Sequence, residues 1–144
     1  MAGFTLSEWV NESPGEVMAF AVDPDNAPKV IKNVVKMEQV TPGPLQVGTL
    51  YRETRMINGR PTTTDLKVTA YDKAGGTYSV TAEQKGLTAT YHYTFEPERN
   101  GTRINLVCET KGRGLMKLMV PFFAGIMKKE DGDHLRNLKA AIEG

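Results

Sequence analysis

The chain has 144 residues, of which 40% are hydrophobic and 24% charged, and this is the composition of one ordinary folded domain over residues 1–144. Its formal net charge is only +1, so overall charge gives no reason to expect nucleic acid or an anionic membrane as a partner. The first residues lack the basic region and apolar run of a secretory signal, and the longest apolar run, 118–127, is too short for a membrane span. We therefore expect a cytoplasmic protein that does not insert into a membrane.

Alternating apolar and polar residues over 4–10 predict a first strand. Two helix starts follow it. Ser13-Pro14 with Glu16 three residues after the cap forms a capping box, and Asp23-Pro24 repeats the cap-then-proline signal. These signals predict two short helices, the second running over about 24–32.

From Val34 the sequence period returns to two, and turn signals divide the chain into six further strands. Asn58-Gly59 and Asn100-Gly101 are both favoured pairs for a two-residue type I′ hairpin. Such a turn fixes the register of its two strands. Around Asn58-Gly59 the predicted inner face carries Tyr51, Glu53 and Arg55, which lie opposite Leu66, Thr64 and Thr62.

Around Asn100-Gly101 the same rule predicts an inner face on which Phe95 lies opposite Leu106, Tyr93 opposite Cys108 and Tyr91 opposite Thr110. This direction argues against a nucleophilic role for the only cysteine, Cys108, which also forms no internal disulfide, as expected in a reducing compartment.

The two histidines, His92 and His134, are the obvious candidates for a general base. The predicted register points His92 outward beside Glu109, where a surface ion pair is the simpler interpretation. His134 lies among acidic residues near the last helix and is interpreted in the same way. Without an inward histidine we expect no Ser-His-Asp or Cys-His arrangement. We also expect no metal site and no cofactor, because ligand-spaced clusters and complete phosphate-binding loops are absent from the sequence.

Glu53 and Arg55 are the predicted charges of the inner face. A buried charge must be paired or hydrogen-bonded, so the two side chains form either a structural ion pair at a cavity mouth or a pair that orients a ligand. A shift of the register by one residue would turn Arg52 and Asp65 inward instead.

The last third of the chain predicts one long amphipathic helix within 112–142. Leu115, Met119, Phe122 and Ile126 recur at helical spacing, and the pattern continues to 142. Pro121 is expected to kink this helix or to begin its main segment, and Gly125 and Gly132 are further weak points at which the helix could bend. We predict that 112–121 is a movable lid and that 135–142 is a fixed anchor.

Several local phrases resemble one family. They are Val10-Asn-Glu-Ser-Pro-Gly-Glu-Val17, Asp23-Pro-Asp-Asn-Ala-Pro-Lys29, Val47-Gly-Thr49, Tyr93-Thr-Phe-Glu-Pro97 with Gly101-Thr-Arg-Ile104, and His134-Leu-Arg-Asn-Leu-Lys139. Together they resemble the polyketide cyclase/dehydrase-like proteins of the START-related (SRPBCC) helix-grip superfamily. The resemblance implies an α+β helix-grip fold: a seven-stranded curved antiparallel sheet around a long C-terminal helix, with two short helices between strands 1 and 2. It also implies a ligand cavity between sheet and helix. One departure is Val30, where this family often has an aromatic residue.

The inner face of the sheet and the near face of the helix together predict the residues of a ligand site. We expect it to be lined by Tyr51, Glu53, Arg55, Tyr78, Tyr91, Tyr93, Phe95, Met119, Phe122, Phe123 and Ile126. Aromatic and methionine side chains with few polar groups are typical of an apolar small-molecule pocket.

The leading hypothesis is therefore a protein that binds a hydrophobic or amphipathic small molecule, such as a lipid, polyketide or isoprenoid. One alternative is a cyclase/dehydratase-like enzyme in which Glu53, Arg55 and cavity tyrosines move protons. Another is an interaction module with no ligand cavity. The sequence leaves the oligomeric state open.

Overall fold

The computed structural model describes residues 2–144, which form a seven-stranded antiparallel sheet packed against helices. The strand order is β1-β7-β6-β5-β4-β3-β2. Strands that are consecutive in the chain are therefore neighbours in the sheet, except that β1 pairs with β7 and lies at the opposite edge from β2. The strands are β1 Ala2–Val10, β2 Val34–Gln39, β3 Leu50–Ile57, β4 Arg60–Asp72, β5 Thr77–Gln84, β6 Leu87–Glu98 and β7 Gly101–Gly112. Irregular pairing within β2 and β4 bends the sheet locally. The predicted α+β helix-grip class is confirmed.

Two short helical segments connect β1 to β2, as predicted. In helix α1, Pro14–Val22, the Ser13 hydroxyl accepts a hydrogen bond from the Glu16 amide, which is the expected cap. The Asp23 carboxylate caps a 3-10 turn, Pro24–Asn26, that runs into helix α2, Ala27–Val30. The second segment thus ends about two residues before the predicted end.

The β3–β4 hairpin has the predicted register. Arg55 lies opposite Thr62, Glu53 opposite Thr64 and Tyr51 opposite Leu66. Both turn residues have positive φ, 52° for Asn58 and 77° for Gly59, as a type I′ turn requires.

The β6–β7 hairpin corrects the predicted register by two residues. Its turn residues are Arg99 and Asn100, with φ of 48° and 63°, and Gly101 already belongs to β7. Phe95 therefore lies opposite Ile104, Tyr93 opposite Leu106 and Tyr91 opposite Cys108. Because the shift is an even number, each side chain keeps its predicted face.

The C-terminal helical region is divided rather than continuous. A 3-10 segment, Gly114–Met119, leads into α3, Val120–Asp131, and α4, His134–Glu143, follows a break at Gly132 and Asp133. Pro121 occupies the first turn of α3, as one of its two predicted roles required. Leu135 and Leu138 of α4 are fully buried, so this end packs firmly into the core. The region contains no helix long and apolar enough to cross a membrane, and neither does the rest of 2–144.

The face that α3 presents to the sheet differs from the prediction. Leu115, Met119, Phe122 and Ile126 are all exposed, the first of them by 85%. Phe123, Ala124 and Met127 face inward instead. Residues 118–127 contain no polar side chain, so helical spacing alone did not distinguish the inner face of the helix from its outer face.

Candidate ligand-binding site

A cavity of about 710 Å³ lies between the sheet and the C-terminal helices. Side chains from β3, β4, β5 and β6 form one wall, and residues of α2, α3 and the start of α4 form the other. Most of the lining is apolar. Pockets of about 300–1,000 Å³ accommodate drug-sized ligands, so this space admits a small organic molecule.

Eight of the eleven residues predicted from sequence line this cavity: Tyr51, Glu53, Arg55, Tyr78, Tyr91, Tyr93, Phe123 and Ile126. The other three, among the residues described, lie elsewhere. Phe95 is a core side chain, 3% exposed, on which the Tyr93 ring stacks at 6.2 Å between centroids. Met119 and Phe122 lie on the outer surface because the inner stripe of α3 is the neighbouring one.

A buried polar cluster bridges the two walls of the cavity. Arg55 Nε donates to Glu53 Oε1 at 2.6 Å, and Arg55 Nη1 donates to Asp131 Oδ1 at 3.0 Å. The Tyr91 hydroxyl donates to the other carboxylate oxygen, Asp131 Oδ2. The Glu53, Arg55 and Asp131 side chains are only 7%, 13% and 3% exposed. The alternative pair, Arg52 with Asp65, lies on the exposed face at 2.9 Å.

The cluster joins three elements of the fold. Glu53 and Arg55 share one face of β3 because side chains alternate along a strand, Tyr91 comes from β6, and Asp131 is the last residue of α3. The cluster therefore ties the end of α3 to the sheet. Sequence reasoning missed Asp131, although helical spacing from Ala124 and Met127 leads to it and on to Leu135 and Leu138.

Burial and charge set the protonation of this cluster. Burial by itself would lower the pKa of Arg55, but the neighbouring Asp131 and Glu53 carboxylates outweigh it, so the pKa is raised. Burial raises the pKa of Tyr91, and the charge of Asp131 raises it further. At neutral pH the guanidinium is therefore charged and the phenol keeps its proton.

His134 is buried, 6% exposed, and this corrects its predicted place on the surface. Its Nδ1 lies 3.3 Å from the Val30 carbonyl oxygen and its Nε2 lies 2.9 Å from the Tyr93 hydroxyl. A carbonyl only accepts, so Nδ1 carries the proton. In the neutral ring Nε2 is then the acceptor and Tyr93 the donor. Burial lowers the pKa of His134, which favours this neutral form.

His134 was predicted to lie on the surface because its neighbours in the chain are acidic, although helical spacing from Met127 and Asp131 to Leu138 passes through it. His134 lines the cavity beside Tyr93, whereas Asp133, one residue earlier, is exposed. Val30 also lines the cavity, at the position where the resembled family often has an aromatic side chain.

The other two side chains considered for catalysis, His92 and Cys108, do not line the cavity. His92 pairs with Glu109 at 3.7 Å on the outer face, as predicted, and its Nδ1 lies 2.8 Å from the Ser79 hydroxyl. Cys108 is fully buried, and burial raises the pKa of its thiol to about 11. Within residues 2–144 we find no group of three potential metal ligands.

The curved antiparallel sheet, the C-terminal helices and the cavity between them define a protein of the helix-grip class. The sequence profile of the family described as polyketide cyclase/dehydrase and lipid transport matches residues 1–143. The chain belongs to this family.

Solved structures share this fold at low sequence identity. Ara h 8.0201 is 20% identical, with a TM-score of 0.77, and the match covers 98% of this chain and 97% of that one. The Zhui aromatase/cyclase from Streptomyces sp. R1128 is 12% identical, also with a TM-score of 0.77, over 97% of this chain and 92% of that one. Among curated proteins no sequence match was found.

The di-domain aromatase/cyclase BexL, from the BE-7585A biosynthetic pathway, is 17% identical with a TM-score of 0.80. The match covers 99% of this chain and 47% of BexL, so this chain spans about half of that protein. At these identities the similarities establish the fold alone.

Proposed function

We propose that this protein binds a hydrophobic or amphipathic small molecule in the cavity between the sheet and the C-terminal helices. The observation that carries the proposal is a cavity of about 710 Å³ with a mostly apolar lining and one buried polar cluster. The apolar walls would take the body of the ligand, and the cluster around Arg55 would take its polar end. Membership of a family that includes lipid transport supports the same assignment.

The charges around the cavity favour a ligand whose polar end is not anionic. Arg55 already has two carboxylate partners, Glu53 and Asp131, so the cluster carries a net negative charge. The complete lining contains four acidic and two basic side chains: Asp23, Glu53, Glu130, Asp131, Arg55 and Lys129. A hydroxyl or carbonyl group can use the free N–H groups of Arg55 without adding repulsion. The ligand class is therefore a neutral alcohol, ketone or similarly polar lipid-like molecule.

Displacement of a fluorescent hydrophobic probe by compounds of one chain length tests both points. A long-chain alcohol should displace the probe at concentrations at least about tenfold lower than the carboxylate, because about 1.4 kcal/mol of repulsion gives that ratio. Equal displacement would refute the assignment of the polar end. No saturable uptake of any hydrophobic probe, and no ligand in native mass spectrometry, would refute binding itself.

A pair of variants locates the binding. Ala82→Trp places a large side chain at the cavity wall and should abolish uptake, whereas Ala140→Trp adds the same ring on the exposed side of α4. Equal uptake by both variants would show that the probe binds outside the cavity.

A cyclase/dehydratase-like activity is the second candidate, and the His134–Tyr93 contact favours it. If the Tyr93 hydroxyl turns to a substrate carbonyl oxygen, it can give that oxygen its proton while His134 Nε2 takes a proton from a substrate carbon. The imidazolium then returns its proton to the Tyr93 oxygen, which restores both side chains. BexL and Zhui, which share this fold, are described as aromatase/cyclases.

Turnover of a poly-β-keto substrate by purified protein tests this second candidate. His134→Gln and Tyr93→Phe should abolish turnover while probe binding persists, and Glu53→Gln tests the role predicted from sequence. Unchanged turnover in all three variants would exclude these residues from the chemistry.

The third hypothesis was an interaction module with no ligand cavity. We do not propose it, because the cavity is large enough for a ligand.

A further inference from the structure

Large apolar side chains form an exposed strip along the outer surface of the 3-10 segment and α3. We call this the outer strip, and its members are Leu115, Leu118, Met119, Phe122 and Ile126. Leu115, Leu118 and Phe122 are 85%, 80% and 66% exposed. Contiguous exposed apolar surface of this kind marks an interaction site in a water-soluble fold.

The strip lies within a strongly basic stretch. Residues 111–129 contain Lys111, Arg113, Lys117, Lys128 and Lys129 and no acidic residue, so their formal charge is +5 in a chain of net charge +1. All five side chains belong to exposed residues. One of them, Arg113, pairs with Glu83 at 3.3 Å. The nearly balanced charge of the whole chain therefore conceals a local concentration of positive charge.

The strip also reaches the mouth of the cavity. Ile126 belongs both to the strip and to the cavity lining, and Lys129 of the next turn lines the cavity as well. Met56 and Ile57, at the tip of the β3–β4 hairpin, are 38% and 41% exposed and line the cavity too. Exposed apolar side chains thus lie on two sides of the opening.

We propose that the outer strip docks this protein onto the surface of an anionic lipid bilayer, with the cavity mouth toward the lipid. Exposed leucine and phenylalanine side chains flanked by lysines have the composition of interfacial segments, which bury apolar groups at the headgroup boundary while basic groups meet anionic headgroups. The contact is peripheral, in agreement with the lack of a membrane-spanning helix in 2–144.

The charge selects the bilayer over a second copy of the chain. In a two-fold dimer each strip would face its own copy, and two stretches of charge +5 would repel one another. An anionic bilayer complements the charge and the apolar side chains together. The inference goes beyond ligand binding and depends on the surface alone.

Co-sedimentation with vesicles tests the inference. Full-length protein should bind vesicles of phosphatidylcholine and phosphatidylglycerol in equal amounts much more strongly than phosphatidylcholine alone. Each basic residue near an anionic surface contributes roughly fivefold to partitioning, so Lys117→Gln with Lys128→Gln should weaken binding about 25-fold. Leu118→Ser with Phe122→Ser should weaken it at least tenfold. Added salt should weaken the wild type more than the lysine variant.

Matched controls lie on exposed residues outside the strip. Val35→Ser with Val47→Ser removes two apolar side chains that are 53% and 60% exposed, and Lys67→Gln with Lys73→Gln removes two exposed charges. Both control pairs should bind vesicles as the wild type does.

Three results would overturn the proposal. They are equal binding to neutral and anionic vesicles, equal losses in the control pairs, and a dimer that Leu118→Ser with Phe122→Ser converts to a monomer. A protein that takes up no hydrophobic probe but binds vesicles would refute the proposed function and leave the docking surface intact.

Discussion

Asp131→Ala should strongly destabilise the protein, because this carboxylate holds two buried partners. It accepts from Arg55 at 3.0 Å and from the Tyr91 hydroxyl, and its side chain is 3% exposed. Losing a hydrogen bond to a charged group costs about 1.5–3 kcal/mol, and a buried hydroxyl left without a partner costs about 1–3 kcal/mol. Both partners face a cavity in which water can replace part of the lost bonding. We therefore expect the free energy of unfolding to fall by about 3 kcal/mol, toward the lower end of the combined range.

Urea denaturation followed by circular dichroism measures this decrease in the free energy of unfolding, and two further variants serve as comparisons. Asp133→Ala removes a carboxylate two residues away that is 66% exposed and pairs with Arg136 at 3.1 Å, and it should cost at most about 1 kcal/mol. Tyr91→Phe removes only one hydrogen bond to this carboxylate and should cost about 1.5 kcal/mol. If Asp131→Ala destabilised no more than Asp133→Ala, the cluster would not fasten α3 to the sheet.

Three further predictions follow from burial and backbone geometry. Because burial lowers the pKa of His134 below its ordinary value of 6.5, the unfolded chain takes up a proton first as pH falls. Stability should then decrease from pH 7.5 to 5.5 by up to about 1.4 kcal/mol per pH unit, and His134→Gln should remove this slope in urea titrations. Gly76 has φ +71°, and a Cβ there would collide with the Phe95 carbonyl, so Gly76→Ala should destabilise the protein by at least about 2 kcal/mol. A Cβ at Gly15 of α1 would meet only open space, so Gly15→Ala should stabilise the protein by up to about 1 kcal/mol. Hydrogen exchange should be faster in the 3-10 segment and the first turns of α3 than in α4, and uniform protection would contradict the expected lid and anchor.

The inward direction of Glu53 and Arg55 was predictable because one local signal decided it. Asn58-Gly59 adopts positive φ at both positions without strain, so this pair fixed the turn and, through it, the strand register. Strand alternation then placed both charges on the inner face. No long-range information was needed for this part of the site.

The predicted register of the second hairpin was wrong because Gly101 is required for close packing in the sheet and not for the turn. A Cβ at this position would lie 2.7 Å from the Trp9 ring, so glycine allows β1 and its tryptophan to pack against β7. The turn falls one residue earlier, at Arg99 and Asn100, and the Trp9 indole nitrogen donates to the Glu98 carbonyl at 2.7 Å. A contact between residues about 90 positions apart in the chain is invisible to a local motif.

The prediction of the inner face of α3 was wrong for a related reason. Apolar side chains lie on nearly all sides of this helix, so its sequence is compatible with two different inner faces. Only packing against the sheet selects the face that contains Phe123 and Met127. The polar members of the site, Asp131 and His134, are buried only because Arg55, Tyr91 and Tyr93 meet them across the core. Periodicity that weighs only hydrophobicity assigns such residues to the surface.

Helix α3 therefore carries two surfaces with different roles. Phe123 and Met127 line the cavity on its inner side, while Phe122 and Ile126 belong to the outer strip. Its carboxyl end is held by Asp131, and the chain continues from there into the buried α4. Its amino end follows the exposed 3-10 segment, so any displacement of α3 at a bilayer is largest near Phe123 and smallest at the polar cluster. Because Ile126 and Lys129, at the mouth of the cavity, lie close to Asp131 along the helix, docking would move the amino end of α3 more than the mouth and would leave the polar cluster of the proposed ligand site in place.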